Sequence, residues 1–154
     1  MVMKFILVGL IFLNFSMLLA QNDEEKAVQK TVEDFFIGFH NQDSIQIKNT
    51  VEPNIILQTI GIDSLGNPIV KNQNFNAFLK SIVSIPKTTK FQEIINSFSI
   101  QIDGNMANAW TNYEFWMNDS FSHCGVNSFQ LIKSGNDWKI IYLIDTRRKT
   151  DCKK

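Results

Sequence analysis

Apolar and polar positions divide this chain into segments with different periods. Over 23–41, Val28, Thr31, Val32, Phe35, Phe36 and Phe39 recur at the i, i+3, i+4, i+7 spacing of one buried helical stripe. Asp23, Glu24 and Glu25 favour a helix start there, because negative side chains oppose the macrodipole. Asp43 is placed to cap a second, shorter helix running to Thr50, which Glu52-Pro53-Asn54 then breaks. Residues 55–60, IILQTI, are rich in β-branched residues and read as a strand. Turn residues over 63–68 lead into a short return strand at Ile69 and Val70. A third helix is expected over 72–85, with Phe75, Phe78, Leu79, Ile82 and Val83 on one face and Pro86 as its stop.

From Phe91 the period changes to that of strands. Residues 91–102 predict a long strand with a bend or bulge, and Asp103-Gly104-Asn105 predicts a hairpin turn. Strands over 107–117, 121–133 and 138–148 follow, joined by Asn118-Asp119 and by Ser134-Gly135-Asn136-Asp137. Helices followed by a meander imply an α+β fold: a cone-like curved antiparallel sheet with three helices from the N-terminal half on its concave face. Both faces of the last hairpin carry large apolar groups. The concave face would then be covered by helices and the convex face by a second copy of the chain, a homodimer through the sheet.

The first twenty residues read differently. One positive charge, the apolar stretch Phe5–Leu13 and a small residue at Ala20 have the layout of a secretory signal peptide over 1–20. The stretch is short for a membrane span, so no span is expected after cleavage. The reading is an exported protein, periplasmic or secreted, with one domain over 21–154. Losing Lys4 leaves 14 basic residues against 15 acidic ones. A near-neutral chain offers no electrostatic case for nucleic acid or an anionic membrane. Thirteen Phe and three Trp are more than a small core needs, so some could line a cavity. In an oxidising compartment Cys124 and Cys152 can pair as a disulfide; the alternative is a buried thiol and a free one. Two cysteines and two distant histidines do not match zinc-ligand spacing, and no metal or cofactor is implied.

Candidate chemistry gathers at one end of the last hairpin, where His123 and Cys124 approach Asp145, Thr146, Arg147 and Arg148. Strand alternation puts His123, Gly125, Asn127, Phe129 and Leu131 on one face. It separates Trp138, Ile140, Tyr142, Ile144, Thr146 and Arg148 from Lys139, Ile141, Leu143, Asp145 and Arg147. His123 is either an acid–base group or a structural hydrogen-bonding partner. Asp145 and Arg147 point the same way and either hold the polar end of a ligand or form an ion pair with each other. Trp110, Tyr113, Phe115 and Trp116 either line a pocket or fill core, and Tyr113 needs a polar partner if buried. Asn127 bonds a ligand or its neighbours. His40 and the acidic first turn read as surface, and Arg148 as solvated or facing the tail.

Element order resembles that of the nuclear transport factor 2-like superfamily, which includes ketosteroid isomerases and polyketide cyclase-like proteins. The stretches ANAWTNYEF (107–115), SHCGVNSFQL (122–131) and WKIIYLIDTRR (138–148) further resemble an exported bacterial group labelled lumazine-binding. The resemblance implies a cone fold over the whole mature region and an apolar cavity. It carries no catalytic residues, because the first helix presents phenylalanines with no tyrosine. The functional expectation is a binding module for a small, largely apolar ligand, with Trp110, Tyr113, Phe115, His123, Asn127, Asp145 and Arg147 as candidate contacts. The alternatives are an isomerase, cyclase or hydrolase using His123 and Asp145, or a ligand-free dimerisation module.

Overall fold

The computed structural model describes residues 2–152, with side chains from residue 22 onward. The signal-peptide reading falls on 1–20, outside the residues whose side chains are described. Three helices, α1 (Val2–Asn41), α2 (Ser44–Asn49) and α3 (Phe75–Val83), accompany six strands. The strands are β1 (Val51–Ile62), β2 (Pro68–Gln73), β3 (Phe91–Asp103), β4 (Met106–Met117), β5 (Ser120–Ser134) and β6 (Asp137–Arg148). Asp43 caps α2 as its position predicts, accepting from the amides of Ile45 and Gln46. Asn74 caps α3 in the same way. The helical run does not begin at Asp23: α1 continues through the acidic triplet. Among the described residues no helix is long and apolar enough to cross a membrane.

The strands form one curved, open sheet in the order β2-β1-β6-β5-β4-β3. It is antiparallel except where β1 runs parallel to β6. The expected meander is therefore real from β3 to β6, while the early hairpin joins the sheet through its far edge. That parallel contact is reachable because α3 and four strands intervene. Asn118 and Asp119 both adopt positive φ, 47° and 60°, so two side chains that tolerate that region make the β4–β5 turn.

Bulges bend the sheet. The register shifts between Ile95 and Ser97 in β3, between Phe115 and Trp116 opposite β5, and between Gln130 and Leu131 opposite β6. The last shift leaves Ile141 as an extra residue and corrects the alternation expected for 138–148. Trp138 and Ile140 face the helices up to the bulge, and Leu143, Asp145 and Arg147 face them beyond it. Strict alternation through Ile141 would have put Asp145 on the opposite face from Trp138. On β5 the expected alternation holds, and Phe129 and Leu131 are fully buried against α1.

The core lies between α1 and this face. Val28, Val32, Phe35 and Phe36 of α1 meet Ala107, Ala109, Phe129, Leu131, Trp138 and Ile140. Glu24 fastens one end. It accepts from Trp138 Nε1 at 2.9 Å and pairs with Lys133. The acidic first turn is thus no free surface, because Glu24 pins α1 to the β5–β6 hairpin. The Lys133 ammonium and the Trp138 indole hold its carboxyl below the usual range. At the opposite end Cys124 and Cys152 are joined as a disulfide with Cα atoms 5.7 Å apart.

Candidate functional site

Beyond Phe129 the helices and the sheet separate. The space between them is a cavity of about 640 Å³, open at one end. Phe35, Phe36 and Phe39 of α1 form its floor, with Phe78 and Ile82 of α3 beside them. Leu57 and Leu143 form one wall, from the parallel pair β1 and β6. The aromatic floor is continuous: Phe39 and Phe78 stack at 6.1 Å and Phe35 meets Phe78 at 6.4 Å. The heavy phenylalanine content is spent here as well as in the core.

The far wall is polar. Tyr113 is buried, and its hydroxyl donates to Thr146 O at 2.9 Å and lies 3.4 Å from Asp145 Oδ2. Burial, and the nearby carboxyls of Glu93 and Asp145, push that phenol up. Gly125 makes this seating possible. A Cβ there would fall 1.8 Å from Thr146 O and 2.7 Å from the Tyr113 ring. Arg147 Nε donates to Asp145 Oδ2 at 2.7 Å. The Asp145–Arg147 pair expected from their spacing is therefore an ion pair, and it lies on the cavity wall. His123 is half-buried, stacks on Phe115 at 5.0 Å and meets Ser122 Oγ at 3.1 Å through Nδ1. Burial, followed by the Arg147 guanidinium, lowers its pKa, so the ring is neutral near pH 7.

Glu93 is the residue that the sequence reading missed. It lies on β3, on the cavity wall, and Oε1 accepts from Asn127 Nδ2 at 2.7 Å. Among the described residues Oε2 has no partner, and no buried side-chain oxygen lacks one, so Oε2 opens to the cavity. Enclosure pushes the Glu93 carboxyl up to about 8, against the opposing bond from Asn127 and with help from the Asp145 charge. At neutral pH it is a carboxylic acid with a proton to donate. The signal was present in the chain: Phe91, Glu93 and Ile95 share one strand face, so a carboxyl stands at an inward position.

His40 also departs from its expected place on the surface. It is half-buried against Phe36 and Phe39, and its Nε2 accepts from the Glu93 backbone amide at 2.9 Å. That bond fixes β3 to α1 beside the carboxyl and requires Nε2 unprotonated. Burial lowers its pKa accordingly.

Of the sequence candidates, Tyr113, Phe115, His123, Asn127, Asp145 and Arg147 line the cavity together. Trp110 does not. It pairs with Ser128 on the opposite face of the sheet and is half-exposed. Trp116 lies on that face too, against Phe121. Among the described residues no group of three His, Cys, Asp or Glu side chains is placed to hold a metal ion.

This architecture is shared with solved structures. A Pseudomonas putida protein of unknown function superposes with a TM-score of 0.67 at 12% identity, covering 86% of this chain and 93% of the other. A Novosphingobium aromaticivorans protein described as having a cystatin-like fold gives 0.67 at 9% identity, with 90% of each chain covered. Both are described as nuclear transport factor 2-like. The chain has the nuclear transport factor 2-like fold. A third protein of that fold, from Streptomyces avermitilis and described as a candidate dehydratase, gives 0.64 at 11% identity, covering 83% and 98%. No family model matches the sequence, and no curated protein matches it. At the open end of the cavity in this chain, polar groups from β3, β4, β5 and β6 meet.

Proposed function

We propose that this protein binds a small, largely apolar molecule in its cone cavity. The observation that carries this reading is the pairing of an unbroken phenylalanine floor with one polar wall. Apolar pockets with a few convergent polar groups are the usual form of small-molecule sites. The phenylalanines would take up the body of the ligand, and the Glu93, Tyr113 and Asp145–Arg147 wall would orient its polar end. The disulfide supports an exported protein. The half-exposed Trp110, with Met106 and Ile132 on the same outer face, supports a second copy against the sheet, which sedimentation equilibrium would test.

The test of binding uses N-phenyl-1-naphthylamine, a neutral fluorophore that brightens in apolar surroundings. A saturable, one-to-one rise in emission is expected, and the cavity-filling Leu143→Trp should abolish it. No enhancement with the folded wild-type protein would end the reading.

A second reading is an enzyme on a small hydrophobic substrate. Glu93 favours it, as a protonated carboxyl open to the cavity. His123 and Asp145 also line the cavity, with Asp145 Oδ2 bonded to Arg147 Nε and His123 Nδ1 to Ser122 Oγ. A solvent-exchange assay on bound ketones, lost in Glu93→Gln, would distinguish catalysis from binding.

A further inference from the structure

The charges around the cavity mouth do not balance. Arg147, Arg148 and Lys149 are consecutive and all line the opening. Asp145 matches Arg147. Arg148 donates Nε to a backbone carbonyl, that of Asp151, and forms no ion pair among the described residues. Among the described residues Lys149 forms no ion pair. The remaining carboxyl of the wall, Glu93, is turned toward Asn127. Such a wall attracts a negative group at its mouth.

Arg147 is also oriented for this. Its Nε is held by Asp145 Oδ2, the atom that the Tyr113 hydroxyl approaches. Its two Nη groups donate to nothing among the described residues, and the side chain is 58% exposed at the opening. A guanidinium fixed through Nε presents its Nη edge as a planar pair of donors, which matches a carboxylate.

We propose that the cavity ligand is an organic acid, with an apolar body on the phenylalanine floor and one carboxylate received by the Nη edge of Arg147. This inference rests on the cavity being a ligand site. Three neighbours keep the wall from repelling the anion. Glu93 is neutral at pH 7 because enclosure raises its pKa to about 8. His123 is neutral there and can donate or accept. The Asp145 charge is matched by the Arg147 side chain that it orients. Tyr113 on β4 and His40 on α1 complete the titratable groups around Glu93, and neither carries charge at pH 7.

The experiment compares 2-naphthoate with 2-naphthamide, which share a body and a planar end and differ in charge. Calorimetric titration of the full chain near pH 7 should show naphthoate binding at least about tenfold more tightly than naphthamide. In Arg147→Gln the preference should shrink below about threefold, because naphthoate loses more affinity than naphthamide. Equal binding of the two probes, or an amide preference, overturns the organic-acid inference and leaves an apolar site standing. A preference that survives intact in Arg147→Gln overturns the role of Arg147. Binding of neither probe overturns the inference and the ligand-binding reading together.

Discussion

The two ends of the helix-facing sheet surface are built from the same strands and have opposite character. Near the β5–β6 turn, Ala107 and Ala109 have short side chains, so Val28 and Val32 of α1 pack directly on the sheet and no space remains. Beyond Phe129 the inward positions carry Tyr113, Asn127, Asp145 and Arg147, and the helices contribute rings that stand off from the sheet. Phe129, fully buried against Phe35 and Phe36, is the boundary. Along β6 the inward positions turn polar beyond the bulge at Ile141, between Leu143 and Asp145. One sheet face can therefore be both a solid core and a binding wall, provided that a bulge resets which side chains point inward.

Truncations at the two ends should separate most clearly. Phe129→Ala is expected to cost about 3–5 kcal/mol in chemical denaturation, because the boundary is packed on all sides. Leu143→Ala, on the cavity wall, should cost only about 1–2 kcal/mol, since part of its surface already faces open space. The reverse order would break the contrast. Removing the disulfide by Cys124→Ser with Cys152→Ser should cost about 3–4 kcal/mol, the chain-entropy value for a loop of this size. A midpoint shift on adding reductant to the wild type, absent in the double variant, would confirm that the bond clasps the tail at the open end.

The next effect depends on pH. The Glu93 carboxyl ionises near 4.5 when unfolded and near 8 when folded. Unfolding therefore releases a proton between those values, and wild-type stability falls as pH rises through that window. Glu93→Gln keeps an acceptor for Asn127 and removes the ionisation. The variant should match the wild type at about pH 4 and exceed it by about 1–3 kcal/mol at about pH 9. The smallest effect belongs to the closed end. Trp138→Phe removes one hydrogen bond to Glu24 and should cost about 0.5–1.5 kcal/mol.

Much of this arrangement was legible in the residues. The α1 stripe, the caps at Asp43 and the turns at Asn118 and Gly135 follow from local physics and appear where expected. His123, Asp145 and Arg147 could be gathered from the final hairpin alone, since short-range pairing of β5 with β6 brings them together, and Tyr113 follows from β4 pairing with β5. The bulge at Ile141 could not be read, because an apolar residue in an apolar strand gives no local sign of being skipped. Trp110 was misplaced for a related reason: a large ring on a strand reads as interior whichever face it occupies. Glu93 and His40 were missed because their meaning depends on β3 lying across from α1, a contact between residues far apart in the chain.

The most direct test is a carbon-13 NMR titration of the Glu93 side-chain carboxyl in the folded protein. The Glu93 carboxyl, set into the cavity wall and held against Asn127, is expected to titrate with a midpoint near 8. A midpoint close to the ordinary 4.5 would show that the Glu93 carboxyl is fully hydrated, and the desolvated acid on the cavity wall described above would not exist.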